Sequence, residues 1–418
     1  MRRIILFALA ALAMPLVAAE ANWWKGNLHT HTLWSDGDDY PEQIAKWYKD
    51  HGYHFLTLTD HNTLQAGERW VDVMKSRGGP PALAKYREAW GEDWVKTRQR
   101  EERLEVRLKT LQEFRGKLEA PGKFLLIQGE EVTDRWRNAP VHMNATNLKT
   151  LIKPQGGNSV LEVMQRNMDA LLAQRRATGQ PMFLHLNHPN FGWGVTAEEL
   201  MQVKGERFFE VYNGHPSVRD AGDKTHASTE RMWDIILTRR LAELKLGILY
   251  GLATDDAHNY HGRAPNRSNT GRGWVMVRAP KLEAGALIAA MERGDFYSST
   301  GITLKELKRS PKEISLSIAA EPGVEYTTQF IGTRRGYDKT SVPYKVASGA
   351  KLRVTHQYSE DVGAVLASVK GARAVYRLKG DEIYVRAQVT STKRVKHPRG
   401  VPEFQSAWVQ PIAGTKTP

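Results

Sequence analysis

Residues 26–42 read GNLHTHTLWSDGDDYPE, and the pair His29 and His31 inside this stretch decides how the rest of the chain is read. Two residues apart on an extended chain, their side chains leave the same face. Asp36 is the first carboxylate after the pair. A strand ending in two imidazoles and a carboxylate suits a metal ion, provided other segments bring further ligands to the same place. Pro41 then opens a helix predicted to run to about His51, because proline is tolerated at the first helical position.

Working outward, strand-like and helical segments alternate. HFLTLTDHN (54–62), KFLLIQGEEVT (123–133), VHMNATNL (141–148), PMFLHLNHPN (181–190), RFFEVYNGHP (207–216) and GILYGLATDDAH (247–258) read as strands. Helices are predicted over about 160–178 and about 228–245. This alternation predicts an α/β fold with a parallel sheet or barrel. Polar clusters gather at strand ends, where α/β barrels carry their sites. They are Asp60-His61, Glu130-Glu131, His142, His185 with His188, and Asp255-Asp256 with His258. Residues 65–120 interrupt the pattern as a charged insertion, expected to be helical and to stand over the strand ends as a lid or a solvated decoration. From 304 onward come short alternating runs such as ISLSIAA and EIYVRAQVTS, with Lys379-Gly380-Asp381 as a hairpin turn. They predict a small all-β domain over 304–418.

The chain has 418 residues and no cysteine, which excludes disulfides and thiolate metal sites. Any metal is therefore held by imidazole and carboxylate, a donor set that suits manganese, zinc or iron. The net charge of +14 is spread without a run of five basic residues. That favours a small anionic substrate and gives no reason to expect a nucleic-acid partner. Arg2 and Arg3, the apolar run IILFALAALAMPLVA and the small residues ending at Ala21 read as a signal peptide over 1–21. The expectation is a periplasmic or secreted protein with no transmembrane anchor after cleavage. The C-terminal domain is a place where an oligomer would form.

HTHTLWSDG, LTLTDHN, GEEVT, VHMNA, LNHP and TDDAH, in this order and closed by FYSSTG, resemble the motifs of the PHP (polymerase and histidinol phosphatase) family over about residues 25–303. The C-terminal part is similar to that of secreted carbaryl-hydrolase-like members. The resemblance implies a distorted (β/α)7 barrel over 22–303 with two or three divalent ions. Matched motif by motif, His29, His31, Glu131 and Asp256 would hold one ion. Glu131 would be shared with His142 and His188 at a second. Asp36, His61 and His258 would hold a third, with Asp36 standing where some members have histidine. Glu130, His185 and Asp255 are neighbours that match less well. Asp60 is expected to orient His61 or another ligand, and Asp60, His61 and His188 to take part in catalysis.

Arg135 and Arg137 are expected to clamp phosphate, with Asn144 and Asn187 as further donors. Tyr212, Asn213 and His215 would line the mouth, and Trp136 and Trp193 would form an aromatic wall. The competing amidohydrolase barrels typically bridge their metals with a carboxylated lysine on a middle strand, and neither the third nor the fourth strand here ends in lysine. The expected activity is an exported phosphoesterase in which a metal-generated hydroxide attacks a phosphate mono- or diester. The alternative is hydrolysis of a carboxyl, carbamate or amide bond at the same site. A binding protein with an inactive metal site is a third class, which the complete ligand set disfavours.

Overall fold

The computed structural model describes residues 21–345, 353–400 and 402–414. The expected signal peptide lies outside them apart from Ala21. Among the described residues no helix is long and apolar enough to cross a membrane.

The chain opens with β1 (Asn22–Asn27), α1 (Pro41–Asp50) and β2 (Phe55–Leu58). β1 and β2 pair in parallel, Gly26 opposite Phe55. A Cβ on Gly26 would lie 2.1 Å from the Phe55 ring, so only glycine permits this approach.

The insertion differs from expectation. It contains β3 (Trp70–Asp72), α2 (Gly79–Trp90), β4 (Thr97–Arg100), β5 (Arg103–Arg107) and α3 (Leu111–Leu118). β3, β5 and β4 form a small antiparallel sheet. Leu104, Val106 and Leu108 alternate with polar residues, and Val106 and Leu108 are buried against Leu83 and Tyr86 of α2. That period of two outweighs the helix propensity of the surrounding Arg and Glu.

Next come β6 (Leu125–Trp136), β7 (Ala139–Thr146), α4 (Val160–Thr178), β8 (Phe183–Leu186), α5 (Ala197–Leu200), β9 (Phe208–Asn213), α6 (Thr229–Arg239) and β10 (Tyr250–Thr254). Ser159 and Ser228 cap α4 and α6 by accepting from Glu162 N and Arg231 N. β11 (Trp274–Ala279), α7 (Ala284–Glu292) and β12 (Phe296–Ser299) close this part.

The sheet order is β10-β9-β8-β7-β6-β2-β1-β11-β12. β7 runs antiparallel to both neighbours, not parallel as the alternation suggested. No helix separates it from β6: Arg137, with φ of 54°, turns the chain back directly. The backbone ladder stays open between β10 and β12. Side chains span the gap instead. Ser298 Oγ accepts from Ala253 N at 3.1 Å and donates to Gly251 O at 2.8 Å. The Gln410 amide bonds Gly251 N and O at 2.9 and 2.8 Å. These contacts satisfy backbone groups on the β10 edge without a ladder partner.

The remaining strands are β13 (Leu304–Ser310), β14 (Glu313–Ile318), β15 (Tyr326–Arg334), β16 (Ser341–Pro343), β17 (His356–Tyr358), β18 (Ala364–Lys370), β19 (Arg373–Arg377), β20 (Glu382–Arg394) and β21 (Phe404–Ala413). The large sheet runs on from β12 into β21-β20-β15-β18. β13, β14 and β19 form a separate sheet sharing a core with it, in which Leu316 and Tyr376 meet Phe330 and Val389. α6 packs on β20 through a buried ion pair. Arg386 Nε and Nη2 each donate to Asp234 at 2.7 Å.

Candidate metal centre

The segment after β1 stays extended, held by one parallel bridge between Thr30 and Ala257. On this extended segment, whose Thr30 N–H is bonded to Thr59 Oγ1, His29 and His31 leave the same face and are both fully buried. Their Nε2 atoms are 3.0 Å apart. Asp256 Oδ1 lies 3.2 Å from each. Glu131 Oε2 lies 3.4 Å from His29 Nε2, 3.3 Å from His31 Nε2 and 2.9 Å from His61 Nδ1. Its Oε1 lies 3.0 Å from His142 Nδ1 and 3.5 Å from His188 Nε2. Asp36 Oδ1 lies 3.3 Å from His258 Nε2, 3.5 Å from His61 Nε2 and 3.6 Å from His31 Nδ1.

Four overlapping sets have ligand atoms within 4.8 Å of one another: His31, Asp36, His61 and His258; His29, His31 and Glu131; His29, His188 and Asp256; and His61, Glu131 and His142. The structure thus brings all nine sequence-derived ligands together. His61 reaches the Glu131–His142 set as well as the Asp36 set.

The donors fit divalent cations. Glu131 Oε2 and His31 Nδ1 are buried and make no hydrogen bond, although imidazole nitrogens crowd Glu131 Oε2. Buried ligand atoms left without a hydrogen bond inside a convergent cluster are what a cation would satisfy. The His29 tautomer also fits: its Nδ1 lies 2.7 Å from Glu210 Oε1, so a proton there leaves the Nε2 lone pair facing the centre.

Charges within the cluster alternate. Burial opposes charge on His29, but Asp256, Glu210 and Glu131 outweigh it and hold its pKa well above the ordinary value. Burial, with His258 and His61 alongside, pushes His31 down to about 3. Burial opposes ionisation of Glu131, yet His61, His29 and His142 pull its pKa well below the carboxylate range. His61 is raised to about 9, the Glu131 and Asp36 carboxylates overcoming its burial. Bound cations would take over the charge compensation that protons supply here.

Glu210, which the sequence reading did not single out, underlies the centre. Besides His29, it accepts from Thr254 Oγ1, His188 N and Asn213 Nδ2, each at 2.8 Å. The signal was present: a lone carboxylate inside the apolar strand FFEVYN. Asn213 Nδ2 also reaches Asp256 Oδ2 at 3.1 Å. Asp256 has φ of 49°, a left-handed turn that aspartate tolerates better than most residues. Asp255 turns elsewhere and accepts from Gly271, Arg272 and Gly273 N–H groups and Tyr48 OH.

Several expectations need correction. Asp60 does not contact the His61 ring. It accepts from Thr32 N and Oγ1, Ser35 Oγ and Gln65 Nε2, so it fixes the loop after His31. Asn144 and Asn187 are buried and offer no donor to a substrate. Asn187 Nδ2 bonds Glu131 Oε1 and Asn144 Oδ1, both at 2.9 Å, and Asn144 Nδ2 bonds Leu28 O at 3.1 Å. Tyr212 packs away from the centre, on Trp408 and Arg399. Trp193 stacks on His226, with ring centres 3.8 Å apart, and it does line a small cavity together with Trp136 and Arg137, as the aromatic-wall expectation required. Glu130 faces the other way and accepts from Ile152 N. Buried His185 reaches Glu210 Oε1 at 3.5 Å.

A cavity of about 730 Å³ adjoins the centre, with His142 in its wall and Arg135, Arg137 and Phe191 around it. Both arginines are exposed, and Arg137 lies 4.6 Å over the Trp136 ring. His215 stands at the centre's edge, its ring 5.5 Å from that of His258. Burial pushes its pKa down to about 4 despite Asp256 nearby.

No family model matches this chain, and no curated protein matches it. Among solved structures, it is similar to a two-domain protein from Bacteroides vulgatus ATCC 8482 containing a predicted PHP-like metal-dependent phosphoesterase. The two share 16% identity over 92% of this chain and 95% of that one, with a TM-score of 0.39. A proposed metal-dependent phosphoesterase from Bifidobacterium adolescentis ATCC 15703 shares 14% identity over 57% of this chain and 89% of its own, with a TM-score of 0.29.

Proposed function

We propose that this chain is an exported metal-dependent phosphoesterase of the PHP type, acting on a small phosphate mono- or diester. The observation that carries this reading is the set of nine imidazole and carboxylate ligands around buried Glu131, beside a cavity bearing two exposed arginines. Export rests on the composition of residues 1–21. Bound divalent cations would supply Lewis acidity and an activated water at neutral pH. Glu131, His29, His31 and Asp256 would hold the innermost ion, His142 and His188 would share Glu131 at the next, and Asp36, His61 and His258 would hold an outer one.

The chain's own residues account for the remaining roles. Arg135 and Arg137 bind non-bridging phosphate oxygens, Arg137 steadied by Trp136. His215 Nδ1 accepts from Ser217 N at 3.1 Å, which puts the proton of its neutral ring on Nε2. His215 is therefore a donor towards an oxygen that gains charge. Asn187 keeps Glu131 oriented, and Glu210 keeps His29 in the tautomer that coordinates.

The test measures bound metal by mass spectrometry, together with initial rates on a matched chromogenic phosphate monoester, phosphate diester and carboxyl or carbamate ester, with and without chelator. Chelator-sensitive turnover of a phosphate ester is expected. Turnover of the carboxyl or carbamate ester alone would replace this reading with the other hydrolase class. Protein that binds no divalent metal would refute both.

A further inference from the structure

A second cavity, of about 580 Å³, opens where β1 and the end of α1 meet the C-terminal strands. Lys25, four residues before His29 on the same extended segment, reaches into it. Its Nζ lies 3.9 Å from the Tyr53 ring centre and 4.1 Å from that of Trp274. Two loops bring further cations to the rim, Arg263 from one and Lys396 from the other. The lining contains no carboxylate. Among the described residues no ion pair joins Lys25, Arg263 or Lys396 to an acidic group.

The carboxylate that most influences Lys25 is Asp255, whose oxygens already accept from three backbone N–H groups and Tyr48 OH. Burial, only partly offset by Asp255, lowers the Lys25 pKa to about 8. Burial together with the charges of Arg263, Lys396 and Arg272 lowers the neighbouring His397 to about 4. A cavity that gathers cations from three separate segments, supplies no counter-charge and has the Trp47 and Trp274 indoles in its wall is complementary to an anion with an apolar body.

We propose that this cavity binds a small organic anion, its acidic group held by Lys25, Arg263 and Lys396 and its apolar part lying against Trp47 and Trp274. The site is separate from the metal ligands and needs no metal. The loop that supplies Arg263 also carries Ser268, whose N–H and O–H groups are not available to the ligand: Ser268 N donates to Asn259 Oδ1 and Ser268 Oγ donates to Asp256 O.

The test is isothermal titration of chelator-treated protein at neutral pH. The probes are naphthalene-2-sulfonate, which has a charge and an apolar body but no hydrolysable bond, and inorganic sulfate. One naphthalenesulfonate site is expected, at least about tenfold tighter than sulfate. Lys25→Met, which retains the packed stem, should weaken binding about tenfold, and exposed Lys396→Gln about threefold. Absence of binding would overturn the proposal. So would affinity unchanged in both variants, equal affinity for sulfate, or binding that appears only after metal is added.

Discussion

Replacing Glu210 with glutamine separates a positioning role at the metal centre from a packing role. The two oxygens of Glu210 receive four donors: His29 Nδ1 at 2.7 Å, and Thr254 Oγ1, His188 N and Asn213 Nδ2 at 2.8 Å each. An amide of the same shape keeps one oxygen. At Oε2 an NH2 group would face two obligate donors, His188 N and Asn213 Nδ2, so the amide nitrogen takes the Oε1 position, where the Thr254 hydroxyl can turn to accept but the proton on His29 Nδ1 loses its acceptor. A hydrogen bond to a buried charge contributes about 1.5–3 kcal/mol, so losing the one from His29 predicts about that much less stability in the metal-free protein. If His29 turns to relieve the clash, its Nε2 leaves the position shared with His31. Losing such an orienting partner weakens metal binding about 10- to 100-fold. The assay titrates metal against a chromophoric chelator for wild type and Glu210→Gln, after circular dichroism has shown both folded, and follows metal-free unfolding in urea. Metal affinity within twofold of wild type would refute the positioning role. Metal-free stability unchanged as well would refute the hydrogen-bond geometry itself.

Asp234→Asn leaves Arg386 buried without its bidentate partner and should cost about 3–5 kcal/mol in urea unfolding. Buried Glu206 has its pKa raised by desolvation to about 8 against the Arg207 and Phe208 N–H donors, from an ordinary 4.5. The native state therefore keeps a proton that the unfolded chain releases. Stability from this group falls as pH rises through that window, and Glu206→Gln should flatten the fall when urea midpoints are compared between about pH 5 and pH 9. Replacing Arg135 and Arg137 together by alanine should raise KM for a phosphate ester about tenfold with little change in kcat, because both are exposed and neither touches the ligand cluster.

Much of the centre was legible because its ligands are rare residues at the ends of apolar strands. His29 and His31 stand on one face by period alone, and Asp256 and His258 follow an apolar strand. Glu210 was missed because a single acid inside FFEVYN reads equally well as a strand residue facing solvent. Asn144 and Asn187 were misassigned because an amide has the same inventory of donors whether it meets a substrate or a neighbouring carboxylate. Of the two roles open to Asp60, support of His61 is absent because adjacent side chains leave opposite faces of extended chain, whereas its bonds to Thr32 and Ser35 hold the segment between His31 and Asp36. The hairpin of β4 and β5 was hidden by Arg and Glu, which favour helix locally and strand only when Leu104, Val106 and Leu108 have a surface to cover.

By itself the sequence determined the α/β character, the absence of thiolate chemistry and which residue types a metal would meet, since these follow from composition and from periods of two and 3.6 residues. Only the tertiary structure decided that β7 runs antiparallel, that Ser298 and Gln410 bridge the edge of β10, that the large sheet continues past residue 303 into β21, and which oxygen of Glu131 faces which imidazole. The direction of β7 follows from a direct turn at Arg137 that the strand pattern on either side does not record, and the Gln410 bridge and the Glu131 contacts to His29 and His31 join residues a hundred or more positions apart, for which no local pattern names the partner.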